Sequence, residues 1–258
     1  MPIDGAPSRH SRSCLGEGVH TSTSTEDSGR ALIRALVWGA LETVHDPELD
    51  EPVAELGFVT EIVVRELMPG PYGVVLVRLR LPTRFCASAS ATVMVADVAD
   101  AVRAIPEILE AEIRLEDHVA ADEINRRVGS PSRPGSASAA RDDELAELRR
   151  AVEEQAHLAC LARACERLLA EGWTIDRLAE ARVGDLPEDA GARLLRRRDV
   201  LGLSPDPGAL LLVDAGDASS EHHHIRTLQR ARAVRTGHEH NAALCRTLQT
   251  RRDAVQPT

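Results

Sequence analysis

The sequence has no lysine: all 31 of its basic residues are arginine. GC-rich codon usage accounts for that bias, so the arginines do not by themselves indicate phosphate or nucleic-acid recognition. Aromatic residues are also scarce, at 2%, which leaves Leu, Val, Ile and Ala to build any core. A surplus of positive charge is missing too. The formal net charge of −10 argues against a nucleic-acid partner and against an anionic membrane surface. No apolar run approaches the roughly 20 residues of a spanning helix. No basic-then-apolar signal layout opens the chain, so a cytoplasmic protein is expected. The five cysteines (14, 86, 160, 165 and 245) are odd in number, dispersed and without a CxxC pair. Neither a disulfide framework nor a tetrahedral zinc site fits that spacing. Walker, GxGxxG, GxSxG and HExxH motifs are absent.

What is present is enough apolar residue, 43% of 258, for one large domain or two small ones. Residues 1–27 are Gly-, Ser-, Thr-, Pro- and His-rich, the composition of a disordered leader, with Cys14 incidental in it. Ser28 can cap a helix over about 29–44, whose apolar face runs through Leu32, Ile33, Leu36, Val37, Ala40, Leu41 and Val44. His45-Asp46-Pro47-Glu48 stops it, because the residue before proline avoids the helical region. Glu55-Leu56-Gly57-Phe58-Val59 leads into a strand to about Leu67, which a Pro/Gly turn joins to a strand over 74–81 as a hairpin. A helix over 89–105, a strand over 108–116 and a short polar helix over 120–128 follow. The order α-β-β-α-β(-α) predicts a small two-layer α+β domain over 28–128. Residues 129–140 read as a linker, and 141–258 as a mainly helical domain of unassigned role.

The chemistry concentrates at Leu81-Pro82-Thr83-Arg84-Phe85-Cys86-Ala87-Ser88, where an alternating strand meets an Ala-rich helix. Thiolate is a soft metal ligand and a nucleophile, and a turn into a helix offers free N–H groups and the positive dipole end that help it ionise. Thr83 can hydrogen-bond within the same loop. The competing reading makes Cys86 a small plug at the sheet–helix junction. Asp46-Pro47-Glu48 is either an ordinary helix stop with solvated acids or a pair of carboxylates lining the Cys86 pocket. Gly57 marks a bulge or a close backbone approach at a strand start. His118, after the third strand, is a hydrogen-bonded surface group or a ligand. His157 and Cys160 share a helical face, a weak metal signal.

Taken together, residues 30–128 resemble the SufT/PaaD-like iron–sulfur cluster assembly family, also called domain of unknown function fifty-nine. The resemblance rests on the first helix running into Val44-His45-Asp46-Pro47-Glu48-Leu49, on Glu55-Leu56-Gly57-Phe58-Val59, on the Thr83-to-Cys86 loop, on Ile105-Pro106-Glu107 and on Asp117–Asn125. It departs at Arg84, Phe85 and Ala87, where members carry Pro or Gly. The resemblance implies that Cys86 is the functional thiol and metal ligand, supported by Asp46, Pro47, Glu48, Gly57, Thr83, His118 and Glu123. It implies iron or a labile iron–sulfur cluster, held transiently. It also implies an accessory factor, not an enzyme, that helps load a client apo-metalloprotein such as an iron-dependent oxygenase. Because one cysteine is too few ligands for a cluster, the others are expected from a homodimer partner, a client or a small thiol. Two rivals remain: a docking adaptor with a structural Cys86, and a hydrolase using Cys86, His118 and Asp46.

Overall fold

A computed structural model describes residues 20–70, 72–129, 139–213 and 223–255. Cys14, most of the expected leader (1–19) and most of the expected linker (130–138) lie outside the described residues.

Helix α1 spans His20–Leu41, so residues 20–27, expected as leader, are helical. Weak local propensity among Ser and Thr did not decide that segment; they extend a helix whose later turns are anchored by packing. Of the expected apolar face, Ile33, Val37 and Leu41 are fully buried, one every four residues, while Leu32 stays exposed. After Leu41 the helix unwinds through Thr43 and Val44, whose N–H groups donate to Ala40 and Leu41 carbonyls.

Strand β1 (Val59–Leu67) begins where Glu55–Phe58 lead into it, after residues 53–57 close a turn. Gly57 has φ of +67°, and Phe58 N–H turns back to the Val53 carbonyl at 3.2 Å. That left-handed position is why glycine stands there. β1 pairs antiparallel with β2 (Gly73–Arg80). Helix α2 (Ser88–Arg103) then crosses over to β3 (Ile108–Glu116), which pairs parallel to β2. The sheet order is β1-β2-β3. Helices α1 and α2 pack together on the sheet, over a core of Val75, Val77, Leu79, Val98, Val102 and Ile113. The polar side of β2 is paired across the strands, Arg78 with Glu61 and Glu116. A short helix α3 (Ala121–Ile124), continued by a π turn over 125–129, ends this α+β layer pair.

The rest is helical. α4 (Ala139–Ala170) is a 32-residue spine. Residues 158–162 are all buried, so the helix is covered on several sides rather than along the single stripe its sequence suggests. α2 packs on it from the sheet domain; α6 (Glu188–Val200) and α7 (His223–Val255) pack on it from the other sides. Short helix α5 (Ile175–Leu178), capped by Thr174, closes a second core around Leu161, Leu168, Leu178, Leu194 and Leu211. α7 serves both cores: Leu228 and Ala231 belong to the second, Ala242 to the first.

Arginine–carboxylate pairs fasten the helical part to the sheet domain. Arg149 Nε donates to Asp97 at 2.8 Å and its Nη2 to Asp100 at 2.5 Å. Buried Arg197 bridges Asp50 at 2.8 Å and Glu153 at 2.8 Å, and Arg246 reaches Glu51 at 3.0 Å. No described helix is long and apolar enough to cross a membrane.

Candidate functional site

The Cys86 loop leaves β2 and enters α2. It is held from within: Cys86 N–H donates to the Thr83 carbonyl at 3.4 Å, and Phe85 N–H to Thr83 Oγ1 at 3.2 Å. It is held from outside by the segment after β3. Val119 N–H donates to the Arg84 carbonyl at 3.0 Å, and His118 Nε2 lies 2.9 Å from the Cys86 carbonyl. The other ring nitrogen, Nδ1, accepts from Ala120 N–H at 3.1 Å. That acceptor role fixes the tautomer, so Nε2 carries the proton and donates. His118 therefore clamps the main chain of the loop, with neither nitrogen turned to the thiol. Helix α2 carries no side-chain cap, which leaves its first-turn N–H groups and positive dipole end beside Cys86.

Across from this loop lies Asp46-Pro47-Glu48. Asp46 Oδ1 accepts two backbone N–H bonds, from Glu48 at 2.8 Å and Leu49 at 2.7 Å, which folds the turn back on itself. Burial pushes its carboxyl up to about 6, against the pull of those two bonds. Glu48 joins two helices: Oε1 accepts from Ser90 of α2 at 3.2 Å, and Oε2 from Asn241 of α7 at 3.2 Å.

These elements enclose a cavity of about 100 Å³ whose lining includes Asp46, Glu48, Thr83, Cys86, Asn241 and Cys245. Cys245, on α7, is a lining residue that no local motif marks. It lines the same cavity as Cys86, and the two thiols shift each other in opposite directions. Cys86 is lowered, first by Cys245 and then by a backbone bond at Thr83, against burial and the Asp46 and Glu48 charges. Cys245 is raised, first by Cys86 and then by burial. The arrangement brings two sulfurs, both soft donors, to one cavity.

Of the expected site residues, Cys86, Asp46, Glu48 and Thr83 meet at this cavity. Pro47 is buried in the turn between the two acids. Gly57 shapes the chain before β1, placing Phe58 in the cavity wall rather than lining it itself. His118 acts on the loop from behind. Glu123 is apart from all of these, on α3, where it is exposed and 3.8 Å from Arg127. His157 and Cys160 are both buried in α4. Among the described residues no three His, Cys, Asp or Glu side chains are placed to hold a metal ion together.

Residues 34–115 match the family model described as iron-sulfur cluster assembly protein. The matched segment runs from within α1 to Leu115 in β3 and contains Asp46, Glu48, Thr83 and Cys86. It stops short of His118 and leaves α4 to α7, with Cys245, outside. No curated protein and no solved structure matches the chain.

Proposed function

We propose that this chain is an accessory factor of iron–sulfur assembly that takes iron or a labile cluster as cargo at Cys86 and passes it to a client apo-metalloprotein. The observation that carries the reading is the setting of the Cys86 thiol. It lies ahead of α2 with its thiol lowered from the ordinary value, in a segment that matches the assembly family, facing a cavity of about 100 Å³. Pockets for organic ligands run to roughly 300–1,000 Å³. This one suits a small inorganic group held by sulfur.

The same geometry speaks against a Cys–His hydrolase. A general base must reach the proton it removes, and both nitrogens of His118 are engaged with main chain. A client surface is available beside the cavity mouth: Phe85 is 73% exposed, Arg84 lies 5.6 Å from its ring, and Val119 is exposed nearby. An iron-dependent oxygenase is the client class the family resemblance implies. That same patch favours a second reading, in which the domain docks clients and Cys86 only supports the loop.

Anaerobic reconstitution with ferrous iron and sulfide separates the two. Visible absorbance and bound iron that disappear in Cys86→Ser support cargo binding. Equal iron in the variant and the wild type would sink it and leave the docking reading.

A further inference from the structure

We propose that Cys245 is the second protein ligand of the cargo iron, so that a dithiolate clasp closes across two distant parts of the chain. This rests on the reading of Cys86 as the cargo thiol. Four observations lead to it.

The first is reach. The two thiols line one cavity of about 100 Å³, from the Cys86 loop on one side and α7 on the other. Two thiolates on one tetrahedral metal at about 2.3 Å are held roughly 3.8 Å apart. A cavity this small keeps both sulfurs at its wall, so one cation inside it can reach the two together. The second is the fate of the other donors. Asp46 Oδ1 is committed to two backbone N–H groups, and both oxygens of Glu48 are held by Ser90 and Asn241. The two sulfurs are the cavity's soft donors, the type a soft ion prefers over carboxylate. The third is the positioning of Cys245. Ala242 of the same helix is seated in the sheet-domain core, and Asn241 is bonded to Glu48, so the adjacent turn of α7 is held against the cavity. The fourth is incompleteness. Without a third ligand among the described residues, two coordination positions stay open to a donor or a client.

The binding step balances simply. Ferrous iron forms one bond to the Cys86 thiolate and one to Cys245 Sγ, and the Cys245 proton leaves to solvent. No electron is transferred. A clasp of two ligands also gives its cargo up more readily than a closed four-ligand site.

The test uses the full chain, reduced and free of oxygen, titrated with cobalt(II) in place of ferrous iron. Sulfur-to-metal charge-transfer absorbance then counts thiolate ligands. The Cys86→Ser/Cys245→Ser double variant supplies the background, and circular dichroism checks each fold. The expected result is a wild-type band about twice that of either single variant. Affinity in Cys245→Ser should fall by at least the ~10–100-fold that loss of an outer-shell partner costs. A full band in Cys245→Ser with a loss in Cys86→Ser overturns this proposal and leaves the cargo role of Cys86 standing. Full bands in both variants overturn both. Should Cys245→Ser unfold, peptide mapping of iodoacetamide labelling in the wild-type chain decides instead. Cobalt should protect Cys86 and Cys245 together, and a Cys245 that still labels with cobalt bound refutes the clasp.

Discussion

Asp46 offers a quantitative check on the cavity wall. Its carboxyl is raised from an ordinary 3.8 to about 6, chiefly by burial. At about 1.36 kcal/mol per pKa unit, that shift corresponds to about 3 kcal/mol favouring the protonated folded state. Because the folded value lies above the unfolded one, this stability is fully present below pH 3.8 and is lost as pH rises through about 6. Other carboxylates titrate in the same range, so the wild type alone will not show it. The comparison is with Asp46→Asn, whose side-chain oxygen can keep both bonds to the Glu48 and Leu49 N–H groups but cannot ionise. Burying an amide in place of the second oxygen adds a constant offset of about 1–3 kcal/mol if it finds no partner. That offset does not vary with pH. Urea unfolding of both proteins, under reductant, should show the variant gaining on the wild type by about 2 kcal/mol between pH 4.5 and 8. The remaining ~1 kcal/mol appears below pH 4.5. A stability difference that stays flat over that range would refute the reasoning. The same substitution removes a negative charge that raises the Cys86 thiol, so iodoacetamide should label Cys86 faster in the variant at pH 7.

Other consequences follow from the packing. Arg197→Met leaves Glu153 and one oxygen of buried Asp50 without their guanidinium, while Arg196 stays 3.2 Å from the other oxygen. A loss of about 3 kcal/mol is expected by urea unfolding, the low end for a broken buried pair, and a loss below ~1 kcal/mol would show that the pair is not desolvated. Gly57→Ala places a Cβ at φ +67° and should cost about 1–2 kcal/mol, read as a lower thermal midpoint. Alkylation followed by peptide mapping should label Cys86 well before Cys165, whose thiol burial pushes up to about 12, and labelling in the reverse order would contradict the lowered thiol at Cys86. Glutathione disulfide should take two electrons and two protons from Cys86 and Cys245, leaving one protein disulfide and two glutathione thiols. A non-reducing peptide map showing no such cross-link would place the sulfurs farther apart than their shared cavity implies.

The sheet domain was legible because its signals are local. Val75, Val77 and Leu79 alternate with Arg78 and Arg80, and Pro106 stops α2 before β3, so element order could be read along the chain. The Asp-Pro-Glu turn and Cys86 were legible for the same reason. What escaped was everything that depends on one half of the chain meeting the other. α7 has arginines and histidines around most of its circumference, so no apolar stripe marks the face that docks. Its contact is made by a small residue, Ala242, and a polar one, Asn241. Cys245 acquires its meaning from a partner far back in the chain, Cys86, and local spacing cannot report that. His118 was visible as a residue but not as a clamp, since its role depends on which atom each ring nitrogen meets. Glu123 was carried by resemblance to the segment around it, and the fold turns it to solvent beside Arg127.

The way α7 is seated sets a strict requirement on its phase. Sliding a helix by a single residue moves each side chain about 1.5 Å along the axis and turns it by about 100°. Such a slip would lift Ala242 out of the sheet-domain core and swing Cys245 away from Cys86 together, because one rigid rod carries both. An inserted residue between Ala242 and Cys245 would turn the thiol while leaving the anchor in place. The spacing of two side chains on α7 thus decides whether the two sulfurs meet, and any partner that shifted this helix by one step would open the cavity and separate them.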